Sequence, residues 1–143
     1  IVASYLGSDG ESDKVLSTTG SIVQAPAPSY IEMKGKEVFK RAVKSLDMVV
    51  GEVLAKAGLT AKDIDWLVPH QANKRIITAT ASSLDMPLDK VIITVDKHAN
   101  TSAASIPLAL HSGISAGKIK RGDMILLESF GAGFTWGASL IQY

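Results

Sequence analysis

The 143 residues are 46 % hydrophobic and 20 % charged, enough to bury one domain-sized core, which excludes an intrinsically disordered chain. A net charge of +1 lacks the Lys and Arg excess of a general nucleic-acid binder, and no apolar run approaches the ~20 residues that a membrane span needs. With no cysteine, the chain holds no disulfide, thiolate metal site or cysteine nucleophile of its own, which fits a reducing, cytoplasmic compartment.

Residues 1–6 are mostly apolar and β-prone and read as a strand, closed by the turn residues Gly7-Ser8-Asp9-Gly10. A strand at the very start of a sequence that opens Ile1-Val2-Ala3, without Met, suggests a cut inside a larger domain. Residues 11–33 show weak periodicity and carry Pro26 and Pro28; they read as an irregular excursion with at most a short helix. Over residues 35–57, Phe39, Ala42, Leu46, Val49, Val53 and Leu54 recur at steps of three and four, the single apolar stripe of a long helix. Lys36, Lys40, Arg41 and Lys44 fall mainly off that stripe. Gly58 supplies a stop, and Thr60 with Asp63 resembles a short capping turn.

Three similar units follow. A strand over 65–69 leads to His70 and a helix over 73–84. A strand over 91–95 leads to Asn100 and a Ser- and Ala-rich helix over 102–116, which Pro107 interrupts in its second turn. A strand over 124–128 leads to Gly131, and 134–143 reads as a last strand. His70, Asn100 and Gly131 are thus spaced by about 30 residues, the length of a βαβ unit. Right-handed crossovers make such strands parallel, so the three residues fall on one sheet edge, where open α/β sheets bind ligands. The small residues Ser102, Ala103, Ala104 and Ser105 predict a central helix, tightly packed on its neighbours.

Each tip offers a different chemistry. His70, in Val68-Pro69-His70-Gln71-Ala72-Asn73, stands between a strand end and a helix start; a positive helix end disfavours imidazolium, and a neutral imidazole can donate one hydrogen bond to a developing oxyanion. A locally satisfied histidine is the plain alternative. His98-Ala99-Asn100-Thr101-Ser102 could be only a turn or cap, since Asn and Ser favour both. His98 receives no catalytic role and His111 reads as exposed or packing. Phe130-Gly131-Ala132-Gly133-Phe134-Thr135-Trp136-Gly137 is either a hairpin turn or a loop that bares backbone N–H groups to a ligand. The three histidines lack compact metal-ligand spacing, and no G-x-S-x-G elbow suggests a serine hydrolase.

In order and spacing these three motifs resemble the signatures of β-ketoacyl-acyl carrier protein synthase III, and Leu6-Gly7-Ser8-Asp9-Gly10 and Gly35-Lys36-Glu37-Val38-Phe39-Lys40 are similar to that family too. The resemblance spans essentially the whole chain. It implies the C-terminal half of a thiolase-like α/β fold, with a mixed five-stranded sheet flanked by helices. Residues 1–33 would be the last strand of the N-terminal half plus a connection, and 34–143 the C-terminal domain. Ala99 stands where the family often has Gly, which matters only if that position needs a positive φ.

The resemblance further implies an acyltransferase that condenses acyl-CoA with malonyl-acyl carrier protein to begin fatty acid synthesis, without a cofactor or metal. The family's nucleophilic Cys lies in the other half, so this chain alone would be inactive. His70 and Asn100 would hold the malonyl thioester oxygen, and the Ala132 N–H would serve an oxyanion hole. Phe39, Lys40, Asn73 and Arg75 would meet the pantetheine arm or the acidic carrier protein. Lys36 and Lys74 could join them or be ordinary solvated positions. The implied partners are the N-terminal half, acyl carrier protein, a coenzyme A thioester and a second copy in a homodimer, with no nucleic acid and no membrane. Two other readings are a polyketide-type condensing enzyme, whose usual Gly-Phe-Gly-Pro-Gly loop differs from Phe130-Gly131-Ala132-Gly133, and a non-catalytic carrier-protein-binding module.

Overall fold

A computed structural model describes residues 1–20 and 28–143. Strand β1 (Ala3–Ser8) passes through a 3-10 turn (Gly10–Val15) into β2 (Leu16–Thr18) and β3 (Ile31–Met33). Helix α1 (Gly35–Ala57), strand β4 (Trp66–Pro69) and helix α2 (Lys74–Ser83) follow. The short α3 (Val95–His98), α4 (Ser105–Ser115) and the strands β5 (Met124–Gly131) and β6 (Thr135–Gln142) complete the chain.

The main sheet has the order β1-β6-β5-β4. β4 and β5 are parallel; β6 runs antiparallel to both β5 and β1. A fifth position outside β4 is marked by the single parallel bridge Leu67↔Val91. The sheet is therefore mixed and flanked by helices, the α/β class expected. Alternation along the strands divides the core: Leu67 and Leu126 pack with α1 and α2, whereas Val68 and Ile125 pack with Ala109 of α4.

Helix α1 has the bounds that its apolar stripe predicts, and Val38, Ala42, Leu46, Val49, Val50, Val53 and Leu54 are buried. Gly58 ends it in the left-handed conformation, with its N–H on the carbonyls of Leu54 and Ala55. Thr60 and Asp63 form a reciprocal capping box.

Four expectations need correction. Gly7 is not a turn: β1 runs through Ser8, and a Cβ at Gly7 would stand 2.6 Å from Cε2 of the Trp136 indole. β1 pairs with β6 along its whole length, from Ala3↔Leu140 to Ser8↔Thr135. The excursion over 11–33 contains the antiparallel pair β2–β3, two three-residue strands too short to show a period; Pro26 lies outside the described residues.

The segment over 91–95 is not a strand either. Its ladder stops after Val91 because the buried side chain of Gln71 takes over as hydrogen-bond partner: Nε2 donates to the carbonyls of Pro69 (2.8 Å) and Ile92 (3.1 Å), and Oε1 accepts the N–H groups of Thr94 (2.8 Å) and Val95 (3.0 Å). The chain then turns into α3. Finally, the helix expected from residue 102 begins as a 3-10 turn (Ser102–Ala104) and becomes α-helical at Ser105. Pro107 thus occupies the first turn, where no N–H is missed. Ala109 and Gly113 of α4 are buried, but Ala103 and Ala104 of the preceding turn and Leu108 are exposed, so the described residues cover this helix on one side.

Two local features carry measurable consequences. Ala99 has φ 56° and ψ −162°, a conformation that side-chain-bearing residues adopt at a cost of about 1–3 kcal/mol. Glu128, in the middle of β5, is 1 % exposed, and neither carboxyl oxygen reaches a hydrogen-bond partner among the described residues. The Thr80 hydroxyl stands near enough to oppose the effect of burial slightly, but its own bond goes to the Ile76 carbonyl (3.3 Å). Burial pushes the Glu128 carboxyl up to about 8, so the neutral acid is the folded form at neutral pH.

Ala99→Gly should raise stability by about 1 kcal/mol in chemical denaturation, the relieved strain exceeding the entropy that glycine adds to the unfolded chain. Because the folded protein holds the Glu128 proton that the unfolded chain releases near 4.5, stability should fall as pH rises from 4.5 towards 8. Glu128→Gln should flatten that loss and leave the variant more stable than the parent at pH 8, as melting curves across this range would show.

Candidate active site

His70 follows directly from β4. Its N–H donates to the Glu128 carbonyl (2.8 Å), which extends the parallel pairing of β4 and β5 one residue past Pro69. Its Nδ1 lies 2.5 Å from Oγ of Ser105, the first residue of α4, and the Gln71 N–H donates to that same oxygen (3.2 Å). Loss of solvent lowers the imidazole pKa. A neutral ring at this position can donate one hydrogen bond and accept another.

Asn100 occupies the loop between α3 and α4. Its Oδ1 accepts the Ser102 N–H (2.9 Å), which leaves the amide nitrogen as an outward-facing donor on an exposed residue. The stretch from α3 through this loop is anchored to the His70 segment at both ends. Gln71 Oε1 holds the N–H of Val95 at one end, and Ser105 at the other bonds His70 and Gln71. The positive φ of Ala99 (56°) and Ser102 (54°) bends the loop on either side of Asn100.

The third tip joins β5 to β6. The Thr135 hydroxyl donates to the Ala132 carbonyl (3.1 Å), while the Ala132 N–H has no hydrogen-bond partner among the described residues. Ala132 is exposed, so this amide can serve a ligand without side-chain obstruction. Phe130, two residues earlier, borders a cavity of about 20 Å³ together with His70, Ala72 and Glu128.

Phe39, Lys40, Asn73 and Arg75 come together in a groove of about 690 Å³ between the N-terminal ends of α1 and α2, joined there by Lys36 and Lys74. The Arg75 guanidinium lies 4.9 Å above the Phe39 ring, a cation–π contact that holds a cation and an apolar face side by side. Asn73 has a structural task not expected from the sequence: its Oδ1 caps α2 by accepting the Ile76 N–H (3.0 Å), so only its amide nitrogen is free for a ligand. His98 is partly buried with Nδ1 unpaired among the described residues, and His111 is exposed on α4.

Three residues at this site escape sequence reasoning. Gln71 is part of the His70 motif, but nothing in the sequence marks its side chain as a backbone substitute. Glu128 reads as the polar end of an ordinary strand. Ser105 sits in a run of small residues that suggests packing alone, and 35 positions separate it from the histidine that it meets. A Ser–His contact is also the signature of an activated nucleophile, but Ser105 is only 1 % exposed and cannot reach a substrate.

Residues 54–143 match the family model described as the C-terminal region of 3-oxoacyl-[acyl-carrier-protein (ACP)] synthase III. A curated β-ketoacyl-[acyl-carrier-protein] synthase III of Alkalilimnicola ehrlichii is 53 % identical over all of this chain and 46 % of its own length, and that of Erythrobacter litoralis is 50 % identical over 100 % and 44 %. Among solved structures, the Aquifex aeolicus synthase III superposes with a TM-score of 0.91 at 46 % identity, over 100 % of this chain and 44 % of its own. The priming β-ketosynthase of the R1128 polyketide pathway reaches 0.90 at 33 % identity, over 97 % and 43 %. The chain therefore spans a little under half the length of these relatives. It belongs to the 3-oxoacyl-[acyl-carrier-protein] synthase III family and corresponds to that family's C-terminal region.

Proposed function

We propose that the enzyme to which this chain contributes its C-terminal part condenses an acyl-CoA primer with malonyl-acyl carrier protein, in the cytoplasm and without cofactor or metal. A Cys of the N-terminal half takes the acyl group from coenzyme A. Malonyl-acyl carrier protein then loses carbon dioxide as its carboxylate carbon–carbon bond breaks, and the enolate attacks the acyl thioester and expels the thiolate. His70 and Asn100 donate hydrogen bonds to the malonyl thioester oxygen as it becomes the enolate. The Ala132 N–H joins an oxyanion hole for acyl transfer. Residues 34–143 act as the C-terminal thiolase-like domain, residues 1–33 supply the last strand of the N-terminal half plus a connection, and the whole enzyme works as a homodimer.

The observation that supports this reading is the double anchoring of the Asn100 loop to the His70–Gln71 segment, through Val95 and through Ser105. An imidazole and a carboxamide that each keep one donor free, rooted in the same segment, suit an oxygen that gains charge during decarboxylation. The Phe39–Arg75 groove lies beside this segment, with Asn73 three residues beyond His70. Its cations suit an acidic carrier protein, and its aromatic face suits the pantetheine arm.

Two measurements in the full-length enzyme test the assignment. Asn100→Ala should slow malonyl decarboxylation by about 10²–10³ and spare most of the acyl transfer from coenzyme A; equal losses in both half-reactions would remove the division of labour. Arg75→Glu should raise KM for malonyl-acyl carrier protein at least about tenfold, while KM for a malonyl-pantetheine mimic changes little. Equal increases for both substrates would show that Arg75 does not read the carrier protein.

A further inference from the structure

Ser105 sits where the hydroxyl proton has one destination. The residue is 1 % exposed, so water does not serve it. Its Oγ has two partners among the described residues. One is the backbone N–H of Gln71 (3.2 Å), a group that can only donate, so Oγ must accept there. The other is Nδ1 of His70 at 2.5 Å. A buried hydroxyl that gives its proton to nothing leaves a polar group unsatisfied at a real cost, so the proton must point to Nδ1. An Nδ1 that accepts carries no proton of its own, and in a neutral imidazole the proton then belongs to Nε2. The lowered pKa of the ring is consistent with the neutral form.

We infer that Ser105 is a positioning residue that fixes His70 as its Nε2–H tautomer, aiming the ring's one donor away from α4 and towards the substrate side. This rests on the proposed role of His70 as a donor to the enolate oxygen and deepens it: the donor is Nε2–H, and its supply depends on a hydroxyl 35 positions away that never touches substrate. Gln71 enters the same device. Its N–H occupies one lone pair of Oγ and so turns the hydroxyl proton towards the ring.

The test is nitrogen NMR of the full-length enzyme labelled with ¹⁵N-histidine, with the His70 signals assigned by their loss in His70→Ala. The wild type should show a protonated, pyrrole-type Nε2 and an unprotonated, pyridine-type Nδ1 above the titration range of the ring. A protonated Nδ1 in the wild type would overturn the inference outright, whatever any variant does. Ser105→Ala should mix the two tautomers and slow malonyl decarboxylation about tenfold, with acyl transfer from coenzyme A little changed. Ser105→Thr, which keeps the hydroxyl, should restore the single Nε2–H form. A pure Nε2–H tautomer in Ser105→Ala would show that Ser105 has only a packing role. Failure of the catalytic reading looks different: decarboxylation would survive His70→Ala, while the tautomer of the wild-type ring would stand as measured.

Discussion

The site depends on one buried carboxamide. All four hydrogen bonds of the Gln71 side chain go to main-chain groups, one at the end of β4 and three in the segment that enters α3, and so join the two. A β-strand would have supplied the same partners, but it would have carried the chain straight on past the sheet edge. The side chain ends the ladder early and lets residues 92–95 turn, while leaving none of these buried amides unpaired. Removing it would orphan four main-chain groups at once, each costing about 1–3 kcal/mol where water cannot reach. The loop that bears Asn100 would then lose its tie at Val95 and hang from Ser105 alone.

The polar groups of the site thus fall into two sets. In the proposed reading, His70, Asn100 and the Ala132 amide each offer a donor to something outside the chain. Gln71 and Ser105 spend their capacity on the segments that carry His70 and Asn100, and the Asn73 oxygen on capping α2. In the proposed reaction the first set would meet the substrate oxygens, and the second would keep rotation and solvent from blurring their aim. Glu128 belongs to neither set. It borders the same small cavity as His70 and carries a proton at neutral pH, so it places no negative charge next to the ring.

Much of this organisation is legible in the residues themselves. The apolar stripe of α1 and its glycine stop mark that helix to the residue, because both signals are local. The repeat of about 30 residues marks the ends of the two parallel strands, with His70 just past β4 and Gly131 closing β5, because parallel crossover units have a characteristic length, whereas Asn100 lies in a loop after α3 and not at a strand end. What stays hidden is non-local. The β-prone run over 91–95 satisfies every strand criterion, and only a side chain 20 or so positions earlier cancels it. Gly7 looks like turn chemistry until the Trp136 indole is seen to need the space that its missing side chain leaves. Ser105 looks like filler because a hydroxyl gains its meaning from the ring it meets, and nothing in the intervening sequence announces that meeting.

The pairing of β1 with β6 has a consequence for how the protein is made. Ser4 and Ser139 share a side-chain hydrogen bond across a separation of 135 residues, and β6 is the only sheet neighbour of β1 among the described residues. During synthesis β1 therefore leaves the ribosome long before its partner exists. The entropy of closing so long a loop grows only slowly with its length, but contacts between distant segments form late and slowly. Until β6 emerges, β1 lacks the strand that it pairs with here, an interval in which chaperones could recognise the nascent chain.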